Sequence, residues 1–450
     1  MEAVLSTNLA SRRAPHAASG GLLRVLGVAF GLAITVGATI GGGILRTPGD
    51  VAGQLPHVAL FMAVWVFGGI NALLGATVYA ELGAMVPRSG GSYTFARRAM
   101  GDGVGFFVGF VDWLNWCVAP AALTLLIGEY LGAIFPAMGR WPTVSGFAVL
   151  GVIVALQWVG VRSGERMQEV TSVLKTGALV ALVTAAFVLP HAEPAVAAAR
   201  VLPSGTALVA AIAIALQGVI FTYDSYYTVV YCGEEMRDPG REIPRSIFRG
   251  LWLIIGIYLL VNAAFVSMLP MEAMAGDPFV GGTVARLLFG GSGDTLIRAI
   301  MIVSLVGTVN AQIMAAPRIL HAMAEDGLFP RQAVRVNAGG TPSIAMLLSV
   351  VVIAAFLFSG SFNAVLGIDA VIIVLLYVVV FASLFVLRRR EPDASRPYRA
   401  WGYPWVQGLA LLLALAMLGM MAFAAVRDTL ITLALALASW PAAWLVRRYV

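Results

Sequence analysis

Apolar runs recur along the whole chain, and this one feature leaves few folds open. A membrane-crossing helix needs about 20 mostly apolar residues. Runs of that order, bounded by charged or Gly/Pro-rich breaks, fall at Arg24–Gly53, Val58–Val86, Val104–Phe135, Thr143–Val161, Met167–Leu189, Gly205–Cys232, Phe248–Leu269, Asp294–Met323, Thr341–Phe358, Phe362–Leu387, Gly402–Val426 and Thr429–Val446. Backbone polar groups in hydrocarbon must bond within the chain, so the runs are expected to be helices. The fold class read here is therefore all-α integral membrane, with about 12 transmembrane helices in 450 residues. Composition agrees: only 12% of residues are charged, against ~25% in a soluble domain. That excludes a water-soluble enzyme and a nucleic-acid reader. Two cysteines, Cys117 and Cys232, build neither a disulfide framework nor a metal cluster. His16, His57, His191 and His321 lie near tails or span ends without metal-ligand spacing, so no metal, cofactor or catalytic role is expected.

The net charge of +6 first serves topology, because basic residues in a membrane protein orient loops. Of the 29 basic residues, 28 are arginines, and with the twelve spans above they sort 22 to 6 between the two sides. The richer side carries both termini, which places both ends in the cytoplasm and the chain in the inner (plasma) membrane. Ser11-Arg12-Arg13 resembles a twin-arginine export signal. It reads better as a basic tail over residues 1–23, since the apolar stretch that follows carries Arg24 and has no small-residue cleavage site. The longest loops are Met271–Gly293 and Arg388–Trp401, so no soluble domain fits and the work is expected to be done within the membrane.

Ionisable or helix-breaking residues at membrane depth are costly and mark functional candidates. The only lysine, Lys175, lies inside the fifth span. A lysine can lose its proton when desolvated, whereas arginine cannot; the alternative is that it snorkels to the nearby interface. In the first span, Gly37-Ala38-Thr39-Ile40-Gly41-Gly42-Gly43-Ile44 weakens the helix by roughly 1 kcal/mol per glycine relative to alanine. An unwound segment there would offer backbone N–H groups to an anion; the alternative is close helix packing through Gly37 and Gly41. In the sixth span, Phe221-Thr222-Tyr223-Asp224-Ser225-Tyr226-Tyr227 is poor helix and good pocket sequence, though it could also be a cluster that packs. Interruptions in corresponding spans of two five-span halves point to a transporter site. Asp112 and Asn115 share one face of the third span, Asn310 and Gln312 lie in the eighth, and Glu81 and Glu129 read as interfacial. Asn310 serves equally as interhelical glue or ligand contact, and Asp369 as an outer-gate residue or a polar partner.

At these residues the chain resembles the amino acid/polyamine/organocation (APC) superfamily, in particular its L-type and bacterial amino acid permeases. Gly37–Ile44 looks like the first-helix motif of that family. Tyr79-Ala80-Glu81-Leu82-Gly83 with Val86-Pro87-Arg88-Ser89-Gly90-Gly91-Ser92-Tyr93 looks like its second-helix and inner-loop signature. Glu234-Glu235-Met236-Arg237-Asp238-Pro239, Ala324-Glu325-Asp326-Gly327-Leu328-Phe329-Pro330 and Arg396-Pro397-Tyr398-Arg399-Ala400-Trp401-Gly402-Tyr403-Pro404 match later signatures.

The resemblance implies a five-plus-five inverted repeat, residues 24–189 and 205–387, with accessory helices over 402–446 and discontinuous helices 1 and 6. It implies a substrate carboxylate on the amides of Gly41, Gly42 and Gly43, flanked by Thr39 and Ile40. It puts the α-ammonium on the carbonyls of Phe221, Thr222 and Asp224, with Tyr223 and Ser225 beside them and Phe221 as a gating aromatic. Lys175 matches a fifth-helix lysine that replaces a sodium ion and tethers the first helix; Asn310 matches an asparagine near the substrate side chain. Cationic carriers tend to have a glutamate near Asn115, so neutral substrates are favoured, while Asp112 and Asp224 keep a cationic reading open. Tyr226 stands where the family usually has tryptophan. The loop Pro136–Pro142 lacks the cysteine that links animal L-type carriers to a heavy subunit, so no covalent heavy subunit is expected. The expected function is secondary active transport of amino acids by sodium-independent exchange or proton-coupled uptake, with amino acid, protons and the lipid bilayer as partners and no nucleic acid. The alternative keeps the fold and carries amines, polyamines or cationic amino acids; a receptor or channel on the same scaffold is the remaining class.

Overall fold

A computed structural model describes residues 26–159, 161–189, 201–359, 362–424 and 426–447. The expected tail over residues 1–23 lies outside them. The chain runs through α1 (Val28–Thr39), α2 (Gly43–Gln54), α3 (Val58–Met85), α4 (Ser92–Met100), α5 (Asp102–Ile134), α6 (Pro142–Val159), α7 (Val161–Val188) and α8 (Gly205–Tyr223). A 3₁₀ segment, Thr228–Glu235, leads to α9 (Pro239–Met268), α10 (Met271–Met274), α11 (Val280–Phe289) and α12 (Gly291–Glu325). After α13 (Ser343–Ser359) come α14 (Phe362–Arg390), α15 (Trp405–Ala424), α16 (Val426–Leu437) and α17 (Ser439–Arg447). Among the described residues no strand forms, and ten helical segments are long and apolar enough to cross a membrane. The protein is an all-α, multi-pass membrane protein.

Two crossings and one loop differ from the sequence reading. The ninth run is helical over only Ser343–Ser359, a shorter apolar helix. The twelfth is two helices, parted at Ala438, because Pro441 has no N–H for the carbonyl of Leu437. The expected loop Met271–Gly293 is folded as α10 and α11, since Val280 and Val284, four residues apart, both bury against the bundle.

Both interrupted helices break. The first stops at Thr39 and restarts at Gly43. The sixth stops at Tyr223; Asp224 is extended (ψ 173°) and Ser225 takes φ +71°, a left-handed conformation that costs a non-glycine residue on the order of 1 kcal/mol or more. The first helix is held at the centre by α7, α9 and α12. Its Gly37 meets α7 so closely that a Cβ would stand 1.8 Å from Gln168 Nε2.

At the arginine-rich end the separate motifs meet one another. Glu81 is fully buried, where an interfacial residue is expected, because Arg388 Nη2 (2.5 Å), Arg396 Nε (3.2 Å) and the Ala400 N–H (2.7 Å) surround its carboxylate. Asp326 gathers Arg88 (3.0 Å), Arg97 (2.9 Å) and the Tyr93 hydroxyl (2.9 Å). Glu235 receives the buried Arg318 guanidinium at 2.5 and 2.9 Å.

Candidate functional site

Both helix breaks face one cavity. Its wall is built from the first break (Ala38, Thr39, Gly41, Gly42, Gly43), from α5 (Asn115, Trp116, Ala119, Leu123), and from the sixth-helix break (Phe221, Thr222, Asp224, Ser225). Thr308 and Gln312 of α12 and Asp369 of α14 complete it. The volume is about 30 Å³, room for a water or two and less than an amino acid occupies. At one wall α2 begins after its N-cap Gly42 with no side-chain cap, and the first N–H groups of a helix have no partner within it, an arrangement that suits an anion.

Lys175, buried on α7, ties the break of the first helix. Its Nζ donates to the carbonyls of Gly37 and Ile40 at 2.5 Å each, with Thr308 Oγ1 at 3.2 Å and Ser304 O at 3.4 Å. Three ammonium hydrogens thus meet four oxygens, three of them carbonyls that a continuous helix or its neighbour would have used. The snorkelling alternative fails here, since the side chain is 1% exposed and pointed at α1. The two breaks are also joined by Tyr258 of α9, whose hydroxyl lies 2.8 Å from Thr39 O and 3.0 Å from Thr222 O; its single hydrogen serves one at a time.

Of the residues expected to bind substrate, Thr39, Gly41, Gly42, Gly43, Asn115, Phe221, Thr222, Asp224 and Ser225 lie in this wall. Ile40, Tyr223 and Asn310 do not. Ile40 turns its carbonyl to Lys175, and Tyr223 packs its ring against Tyr258 (5.0 Å) and Trp65 (6.1 Å). Asn310 is interhelical glue: its Oδ1 accepts from Gln157 (2.9 Å) and its amide donates to Gln168 (3.1 Å). Asp112 shares Asn115's helix face yet stays behind the wall, where it accepts from Tyr231 (2.8 Å) and from the indole of Trp116 (3.1 Å) and so sets the orientation of that ring. Asp224 accepts from Tyr377 at 2.6 Å and Ser225 at 3.1 Å. Trp116, Thr308 and Tyr258 were not singled out from the sequence, because which face of a long apolar helix turns inward is set by packing.

A bundle of crossing helices with two broken at a shared central cavity is the architecture of a membrane transporter. The profile of the amino acid permease family matches residues 22–440, and the chain belongs to that family. Among similar proteins, the serine/threonine exchanger SteT of Bacillus subtilis (strain 168) is 27% identical over 88% of this chain and 90% of that protein. The human large neutral amino acids transporter small subunit 2 is 29% identical over 86% of this chain and 75% of its own length. The mouse b(0,+)-type amino acid transporter 1 is 26% identical over 84% and 79%. These relatives are transporters, not enzymes, and an amino acid is the class of substrate that the family implies.

Proposed function

We propose that this chain is a secondary active carrier of amino acids, with neutral side chains as its main cargo, working by alternating access through sodium-independent exchange or proton-coupled uptake. The observation that carries the reading is that both helix breaks open on one cavity, with Lys175 bonded to the carbonyls at the edge of the first. The substrate carboxylate docks on the amides of Gly41, Gly42 and Gly43, where the start of α2 favours negative charge. The α-ammonium docks on carbonyls of the sixth-helix break, of which Thr222 O is shared with Tyr258. A cation is needed where the first helix is interrupted, and the Lys175 ammonium supplies it without sodium. The cavity is too small for an amino acid, so loading requires the helices around it to part, which is the alternating step. The names of the relatives, a serine/threonine exchanger and a large neutral amino acid transporter among them, support the cargo.

The same reading takes residues 24–189 and 205–387 as the two inverted halves, 402–446 as accessory, and both termini as cytoplasmic in the plasma membrane. The 22-to-6 sorting of arginines is its support.

Counterflow in proteoliposomes tests the proposal. A panel of amino acids is run beside their decarboxylated amines, without sodium, with and without a pH gradient. Exchange of amino acids but not of their amines is expected. Movement of amines alone would move the site to the aspartates and return the glycines to packing. A rate that follows the pH gradient selects proton coupling; trans-stimulation without one selects exchange.

A further inference from the structure

Away from the cavity between the helix breaks, a groove of about 810 Å³ lies at the arginine-rich end, between α5, the turn after α12, and α17. That is the size of a small-molecule site, ~300–1,000 Å³. Phe106, Phe107, Leu328, Trp440 and Trp444 give it apolar walls. α17 packs on α5 and α16 at the edge of the bundle, and its two tryptophans are 77% and 55% exposed. Tryptophan so placed on a membrane helix belongs at the boundary between acyl chains and headgroups.

The groove also has polar points. Ser439, at the head of α17, lines it at 1% exposure, and its Oγ has no hydrogen-bond partner among the described residues. A helical serine commonly returns its hydroxyl to the carbonyl four residues back; this one leaves a donor for a group in the groove. At the rim, α5 begins after Gly101 with no side-chain cap, and its first residues, Asp102 and Gly103, line the groove. The start of a helix attracts an anion. The Asp102 carboxylate there is already answered by Arg97 Nε at 2.8 Å. Arg390, at the end of α14, donates to the carbonyl of Ala99 at 2.9 Å, two residues before Gly101, and forms no ion pair among the described residues. It thus brings a positive charge without a carboxylate of its own to the uncapped start of α5.

We propose that this groove holds one anionic phospholipid, with an acyl chain between α5 and α17, the phosphate at the start of α5 beside Arg390, and an ester carbonyl on the Ser439 hydroxyl. Each part of the lipid meets its chemistry: the aromatic walls take the chain, a guanidinium and helix amides take a phosphate, and the unpartnered hydroxyl donates to the carbonyl. A zwitterionic phospholipid offers the same chain but carries its own cation, so it gains less from Arg390. A soluble anion would leave the aromatic walls unfilled. The site is separate from the central cavity and does not depend on what the carrier transports.

The test uses the purified full-length protein in phosphatidylcholine vesicles, titrated with phosphatidylglycerol brominated on its acyl chains, since bromine quenches tryptophan fluorescence at close range. Of the 10 tryptophans, the signal of Trp440 and Trp444 is isolated as the difference from a Trp440→Phe/Trp444→Phe variant. That signal is expected to saturate at a mole fraction at least tenfold lower for brominated phosphatidylglycerol than for brominated phosphatidylcholine. Arg390→Gln is expected to bring the two lipids within threefold of each other. Equal half-saturation in the native protein means ordinary surrounding lipid and overturns the proposal, and a preference that survives Arg390→Gln removes Arg390 from the site. Should that variant not fold, Gly103→Phe decides: a Cβ at Gly103 meets nothing within 4 Å, so the ring enters the groove and should weaken phosphatidylglycerol tenfold or more, and no change would refute the groove. If neither lipid reaches the two tryptophans until residues 1–23 are removed, that tail is the occupant and the lipid site falls.

Discussion

Replacing Lys175 with methionine should leave a folded protein that hardly transports, and the geometry says why the two effects part. Methionine keeps most of the length and removes the ammonium. Two bonds at 2.5 Å, to Gly37 O and Ile40 O, are lost, each on the order of 1.5–3 kcal/mol for a charged donor, or about 3–6 kcal/mol together. Thr308 Oγ1 is 3.1 Å from Gly37 O and 3.3 Å from Ile40 O, and its one hydrogen recovers about 1 kcal/mol at one of them. These are net values that already include desolvation of the ammonium, so the global balance moves by about 2–5 kcal/mol, while the geometry of the first-helix break loses the group that fixed it. Expected results are a monodisperse protein with a thermal midpoint within a few degrees of the native one and counterflow reduced at least tenfold, equivalent to ~1.4 kcal/mol in the population of the competent state. Lys175→Met exchanging at the native rate would refute the tether, whatever its midpoint.

Three further outcomes are expected. Gly43→Val places a Cβ 2.8 Å from Thr222 Oγ1 and 3.1 Å from its Cγ2, pressing the two breaks apart, so substrate affinity measured by equilibrium binding should fall tenfold or more; unchanged affinity removes the glycine site. Arg318→Met strands the buried Glu235 carboxylate, 0% exposed against 4% for its partner. The cost is about 3–5 kcal/mol, seen as a lower midpoint that Glu235→Gln added to the same protein should partly restore; an additive double variant contradicts the pairing. Glu391 is held below the ordinary glutamate value by its hydrogen bond to Arg98 at 2.7 Å. Its stabilisation is thus complete above the ordinary glutamate range and is lost as pH falls through the lowered value. With both side chains about one-third exposed, the contribution is only ~0.2–1 kcal/mol, and Arg98→Ala should flatten that part of a midpoint-against-pH curve.

What could be read from the sequence follows the range of the interaction that sets each feature. Apolar length and glycine content are local, and they sufficed for most crossings and for both breaks, at Gly41–Gly43 and around Asp224. Features set across the chain were not legible. Glu81 stands close to the end of a span, and nothing near it in sequence reveals Arg388 and Arg396, which bury it from more than three hundred residues away. The α11 helix is too short to register as a crossing, and its amphipathic face gains meaning only once the bundle is there to receive it. Asp369 was visible as a charge at membrane depth, but its place in the cavity wall opposite α5 and α12 needed the fold.

The motifs that made the family recognisable divide into two physical kinds. Those at the arginine-rich end answer one another: the inner-loop Arg88 and Tyr93 meet Asp326, the second-helix Glu81 meets Arg396 and Ala400, and Glu235 meets Arg318. The charges just named have their complements inside the protein, so these residues fix how the helices sit. The first-helix glycines and the sixth-helix break are the reverse. Uncapped amides at Gly42–Gly43 and side-chain oxygens of Thr39, Asn115, Gln312 and Asp369 that have no partner among the described residues line one cavity. Substitutions at the first kind should therefore move stability at unchanged substrate preference, and substitutions at the second should move preference at little cost in stability. A match to a motif cannot separate the two; the hydrogen-bond ledger of the cavity can.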